Sequence, residues 1–318
     1  AMKNDVEGFH NGAHPPQKLL GVCRRRGAER RGICLRAGVV ACAMGWSIAG
    51  CGGGDAEGWG TESAPAIRQG ETQVWYGRAN AWAVAGLDSL RADVEVCADA
   101  GVSGYMIELL GWGAYTTTPD ETLKETTADA YGHLVSWCRS LGLWLFVSVG
   151  NDNAGFGGYG DRGVPLSTQT ELLDWAIELV RSHGAANVIV QPCAETKTAA
   201  GAWLEARCTE RLGGFILVNN GNGGRPAQTA SWAEFRVWHP LLGSDNPPDA
   251  LIVSDSGDMI RILASDHSLD GPGDPERLRA WVHLVKANGC PVAGYYAFLH
   301  AQHDAPAIQA LGEALREE

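Results

Sequence analysis

The segment "VIVQPCAET" runs from an apolar stretch, Val188-Ile189-Val190, directly into a carboxylate, Glu195. Charged groups are seldom carried to the end of a buried strand without a partner or a task. A second carboxylate, Asp255, closes a similar run in "ALIVSDSG". Two carboxyl groups facing one another can divide proton donation from nucleophilic or basic attack, the requirement for cleaving an acetal bond.

Other polar and aromatic residues follow the same kind of apolar run. They are Arg78 and Asn80, Glu108 with Trp112 beyond it, Asp152, Asn219, the pair Trp238-His239, and Tyr296. Amides and carboxylates can hydrogen-bond sugar hydroxyls, and the broad faces of Trp and Tyr match the apolar C–H face of a sugar ring. Trp82 is a further candidate platform, whereas Trp137, Trp175 and Trp281 recur at helical spacing and are expected in the core. His300 and His303 form a short His pair, but no His-x-His follows the first apolar run to complete a metal centre, so no metal and no cofactor are expected. No Gly-x-Ser-x-Gly elbow is present, which argues against a serine esterase.

The segments that must position these residues alternate between two kinds. From residue 73 onward, short apolar runs rich in Val, Ile, Leu and aromatics are each expected as strands: 73–80, 104–111, 143–150, 188–195, 214–221, 235–240, 250–257 and 291–300. Amphipathic stretches with Leu and Val at helical spacing separate most of them, and several end in Gly. "TASWAE" reads as a short helix and "LLGSDNPPD" as a loop. Eight apolar strands alternating with helices imply a parallel sheet covered by helices, and the number eight implies an α/β fold of the (β/α)8 TIM-barrel type. The other architecture open at this point is a doubly wound open sheet, although no G-x-G-x-x-G follows the first strand. In a barrel, the C-terminal strand ends and the loops after them build the site.

The pattern resembles the clan of retaining glycoside hydrolases with (β/α)8 barrels, of the cellulase and mannanase type. "AET" at 194–196 is similar to the clan's strand-4 motif, and "VSDSG" at 253–257 to its strand-7 motif. The resemblance implies an acid/base role for Glu195 and a nucleophile role for Asp255. "WHP" at 238–240 resembles the region where a His stands near the nucleophile. Ala194 stands where the clan usually has Asn, Asp255 is one methylene shorter than Glu, and the second strand carries Glu108 instead of Arg. These departures leave a second reading open: a carbohydrate-binding or scaffold lipoprotein that keeps the barrel without catalysis.

Composition bounds the partners. The net charge of −12 disfavours nucleic acid, which is met by basic surfaces. Eight of the 25 basic residues and three of the 37 acidic residues lie in 1–51, which leaves 17 against 34 beyond it. The basic stretch around "CRRRGAERRGICLRAG" precedes a short apolar run, "VVACAMGWSIAG", that ends at Cys51. That layout is expected to be a bacterial export signal with a lipobox, Cys51 taking the lipid. The expected organisation is therefore a signal segment over 1–51, a flexible Gly-rich tether over 52–72, and the catalytic barrel over 73–318. Membrane contact is expected only through that lipid. The cysteines beyond it (Cys97, Cys138, Cys193, Cys208 and Cys290) show no CxxC spacing and are expected to be buried, with a Cys97–Cys138 bridge one option.

Overall fold

The computed structural model describes residues 64–68, 70–78, 82–110, 121–151, 166–194, 199–220, 230–238, 259–264, 274–297 and 305–317. The expected signal segment and Cys51 lie outside these residues. Eight parallel strands close into one barrel in sequence order. They are β1 Gln73–Arg78, β2 Gly104–Glu108, β3 Trp144–Asn151, β4 Val188–Ala194, β5 Ile216–Asn220, β6 Phe235–Trp238, β7 Met259–Ala264 and β8 Val292–Ala297. Six helices are described: α1 Leu87–Ala100, α2 Glu121–Ser140, α3 Leu166–Ser182, α4 Ala199–Arg211, α5 Pro275–Ala287 and α6 Ala305–Arg316. The expected TIM-barrel fold is the one observed, and the open-sheet alternative falls away because β1 pairs with β8.

Local chemistry explains where several elements start and stop. The Asp274 side chain accepts from the Glu276 amide at 3.0 Å and Pro275 opens α5, so a donor left open by the first turn is satisfied. Gly101 ends α1 at φ 82°, a left-handed conformation that a Cβ would strain.

Two apolar assemblies hold the barrel. The larger lies between strands and helices and includes Val74, Tyr76, Tyr105, Ile107, Val147 and Val190. The smaller is built chiefly from the opposite faces of the same strands and fills the bore. Carrying the strand registers round the barrel returns to β1 eight residues away, the stagger of an ordinary eight-stranded barrel. That stagger sorts the inward side chains into tiers. Trp75, Phe146, Val218 and Ile260 make one tier, with the Trp75 and Phe146 rings 5.7 Å apart. Below it, the bore is closed by residues 64–68. Ala64 and Ile67 pack against the inner cluster, Trp144 Nε1 donates to the Pro65 carbonyl at 2.6 Å, and Gln73 Nε2 donates to the Ala66 carbonyl at 3.0 Å. This part of the expected tether is therefore a floor to the barrel.

Three local expectations are corrected. The seventh strand is Met259–Ala264, whereas 250–257 was expected; residues 250–257 lie outside the described residues. The stretch read as the short helix "TASWAE" makes a turn at Ser231-Trp232 and no helix over its described part. Cys97 and Cys138 carry free, fully buried thiols and no bridge.

Candidate active site at the C-terminal end of the barrel

The site is set by the ends of the strands. β4 is buried along its whole length and ends at Ala194, one residue short of the strand end expected at Glu195. Glu195 itself lies outside the described residues, as do Asn80, Trp112, Asp152, His239 and Asp255. Trp238 is the last residue of β6, with its side chain outside the described part.

Asp255 does not follow the seventh strand. It precedes Met259 by four residues, on the side of the chain that enters β7. The residues that leave β7 are Ser265, Asp266 and His267. Sequence reasoning missed them because the run "LIV" and the run "MIRIL" are equally plausible short strands. Turn-forming Ser-Asp-Ser-Gly favoured the first.

Arg78 is also corrected. It is buried, and it points outward between β1 and α1, where its Nε meets Asp93 Oδ2 at 2.6 Å. Tyr105 Oη donates to the same oxygen at 3.3 Å. The guanidinium thus neutralises a buried carboxylate behind the barrel wall and does not serve the mouth. Asn219 is corrected on the same ground. Leu217 belongs to the outer cluster and Val218 to the inner one, so alternation places Asn219 on the outer face. Trp82 is fully buried in the outer layer, its Nε1 donating to the Glu108 carbonyl at 2.7 Å, and offers no stacking face. Trp281 is core as expected, and Trp137 and Trp175 pack partly buried against the same core.

Glu108 and Tyr296 do belong to the bore. Met106 and Glu108 share the inner face of β2, and Val292 and Tyr296 share that of β8. Both residues are buried in the uppermost described tier. Burial, and then the nearby Glu108 charge, push the Tyr296 hydroxyl pKa well up, so it stays a neutral hydrogen-bonding group. Tyr296 Oη donates to the Ile107 carbonyl at 3.5 Å, a long contact.

Beneath them lies a polar set that the sequence reading did not single out. Ser148, Gln191 and Asn220 are buried inward side chains of β3, β4 and β5. Gln191 Nε2 donates to Ser148 Oγ at 3.0 Å, and Ser148 Oγ donates to the Gly150 carbonyl at 3.2 Å. The bore therefore changes character with height, from Trp75, Phe146, Val218 and Ile260 to a polar upper half. Such a polar lining can bind neutral polar ligands and can keep a carboxyl group apart from bulk water. Among the described residues no group of His, Cys, Asp and Glu is arranged to hold a metal ion.

No family model matches the chain. No curated protein matches it either. Solved structures do. A complex of a GH113 β-1,4-mannanase is 10% identical with a TM-score of 0.50, over 79% of this chain and 99% of that one. A glycoside hydrolase family 5 protein from Bacteroides vulgatus is 12% identical with a TM-score of 0.49, over 70% of this chain. The chain spans 57% of the length of that Bacteroides protein. The homocysteine methyltransferase MmuM of Escherichia coli is 12% identical with a TM-score of 0.49, over 76% of this chain and 96% of that one. At these identities the likeness concerns the fold: the chain shares the (β/α)8 barrel found in the GH113 mannanase.

Proposed function

We propose that this protein is a glycoside hydrolase acting on a neutral, β-linked poly- or oligosaccharide with two carboxyl groups and no cofactor. The observation that carries the reading is the position of Glu195, the residue immediately after the buried strand β4. Glu195 is the proton donor to the leaving oxygen and then the base for water. Asp266, two residues after Ala264, takes the nucleophile role that the sequence motif gave to Asp255. Retention of configuration follows from that pairing if the carboxyls stand about 5–5.5 Å apart. Glu108 and Tyr296 close the bottom of the sugar site, and Asn80, Trp112, Asp152, Trp238 and His239 surround it on the loops. The charge layout of 1–51 supports export, a lipid on Cys51 and a location at the bacterial cell envelope as part of this reading.

Support comes from the shared fold, since a β-1,4-mannanase has the same barrel. The test is release of reducing ends from β-1,4-mannan and β-1,4-glucan by the wild-type protein and three variants. Glu195→Gln and Asp266→Asn are expected to lose about 100-fold or more in kcat, the scale of a lost acid/base group. Asp255→Asn is expected to stay within about twofold, since Asp255 precedes β7 in the chain and has no part in this pairing. Full activity in Glu195→Gln sinks the proposal.

One observation favours a second reading. Ala194, buried at the end of β4, stands where the resembling clan has Asn, so a sugar-binding amide is missing next to Glu195. A carbohydrate-binding barrel without catalysis is then the alternative. Glycan binding by the wild type, with no turnover and no change in Glu195→Gln, selects it.

A further inference from the structure

The polar tier inside the bore has hydrogen-bonding capacity that the protein does not use. Asn220 is buried, and neither its Nδ2 nor its Oδ1 has a hydrogen-bond partner. Gln191 is fully buried and its Oε1 has none either. Both atoms of Asn220 are open, and Ser148 Oγ can pair with either end of the Gln191 amide, leaving one end open in both orientations.

Position brings the two amides together. Ile189 and Val218 both lie in the inner cluster, so alternation points Gln191 and Asn220 inward as well. β4 pairs with β5 through Ile189–Ile216 and Val190–Leu217. Carrying that register upward sets Gln191 beside Val218 and makes Asn220 its diagonal neighbour, a spacing of about 7 Å between backbones that two side chains and one small group can bridge. Met106 and Val237 of the tier at Gln191, and Val218 below Asn220, offer no polar side chain in exchange. Buried amide groups left in that state are costly and rare in native proteins.

We propose that Asn220, Gln191 and Ser148 form an internal binding site for a neutral hydroxyl group, one oxygen shared by the two amides within the barrel bore. The open atoms are both donors and acceptors. A cation would leave Asn220 Nδ2 unmatched, and an anion would face the amide oxygens. A hydroxyl accepts from one amide and donates to the other, so a single oxygen can bridge Asn220 and Gln191. Its source is either an ordered water or a hydroxyl of the sugar reaching down from the mouth, and the chemistry at Asn220 is the same for both. The assignment stands independently of whether Glu195 donates a proton.

The test has two parts. The first is an atomic-resolution crystal structure of the wild-type protein, alone and soaked with a neutral β-1,4-linked tetrasaccharide. The expected result is one oxygen within about 3.2 Å of both the Asn220 and Gln191 amides. A water in both crystals assigns the site to water, and a sugar oxygen in the soaked crystal assigns it to the ligand. Amides hydrogen-bonded to protein groups instead, or an ion between them, overturn the proposal. The second part is a double-mutant cycle in denaturant with Asn220→Leu, Gln191→Met and both together. Each single change is expected to shift the unfolding equilibrium constant by about tenfold, because it leaves the other amide without the shared oxygen. The double variant is expected to lose clearly less than the product of the two. Multiplicative effects contradict a shared oxygen. Where a variant does not fold, the wild-type crystals decide alone. A protein that shows the oxygen but hydrolyses no glycan refutes the hydrolase reading and leaves this one intact.

Discussion

Arg78 and Glu108 come from neighbouring strands and face opposite ways. Both were legible as polar residues at strand ends, but their faces were not. "QVWYGR" is buried on every residue, so alternation in the sequence carries no sign of which side is the bore. Only packing decides, and it sends Arg78 to Asp93 on α1 and Glu108 to the tier of Tyr296. The same ambiguity separated Asn219 from Asn220, of which the inward residue was the one not chosen. A clear consequence follows for Arg78. Arg78→Met removes one half of a buried pair and is expected to destabilise the fold by about 3–5 kcal/mol. Glycan affinity of the remaining folded protein should be unchanged, as read by chemical denaturation and by calorimetric titration. Loss of affinity with unaltered stability would return Arg78 to the mouth. The thiols of Cys97, Cys138 and Cys208 are held above their ordinary pKa by burial, so they should resist alkylation in the native state and react on unfolding.

At the scale of elements, long amphipathic helices and the first six strands and the eighth were readable because their periods and Gly or Asp boundaries agree. β7 was not. "ALIVSDSGDMIRILAS" offers two short apolar runs of similar strand character. The pairing of Trp238 with Arg261 and of Ile260 with Val292 shows which run the barrel uses. The floor at 64–68 was hidden for another reason: its Gly-poor, Pro-containing sequence has no period, and its worth lies in carbonyls aimed at Trp144 and Gln73. Deleting residues 64–68 should expose the Trp75 and Trp144 end of the bore, lower the melting temperature and raise binding of an apolar dye. An unchanged melt would show that the floor is dispensable.

α3 and α4 are joined by Asp174, which accepts from Arg207 Nε at 2.7 Å and from Arg211 Nη1 at 2.6 Å. The Arg207 hydrogen bond, with the charges of Arg207 and Arg211, holds the Asp174 carboxyl below its ordinary pKa. A depressed folded-state pKa stabilises above the unfolded value and is lost as pH falls through the folded one. Asp174→Asn should therefore lower stability at neutral pH and lose its effect under acid conditions below about pH 4, the unfolded carboxylate range. The clamp is partly exposed, so the difference should be about 1 kcal/mol or less and shrink in salt. A gap that persists in acid would contradict the assignment.

For the whole molecule, the closed barrel explains how one short chain collects residues from distant positions at one end. Closure gives each inward side chain a tier, and the tiers grade from aromatic and aliphatic to amide, hydroxyl and carboxyl. Eight apolar runs in the sequence were enough to expect the barrel. The polar upper half of the bore was not legible, because Ser148 and Gln191 sit singly in strands that otherwise read as apolar, and Asn220 stands beside Asn219 with no sign of which faces inward. In the chain, Glu195 comes one residue after β4 and Asp266 two residues after β7. The most direct test is the separation of the Glu195 and Asp266 carboxyl groups in a crystal of the protein. Two-carboxylate hydrolysis predicts about 5–5.5 Å with retention, or about 6.5–9.5 Å with inversion. A separation well beyond about 10 Å contradicts it, because no single glycosidic bond could then lie between the two groups.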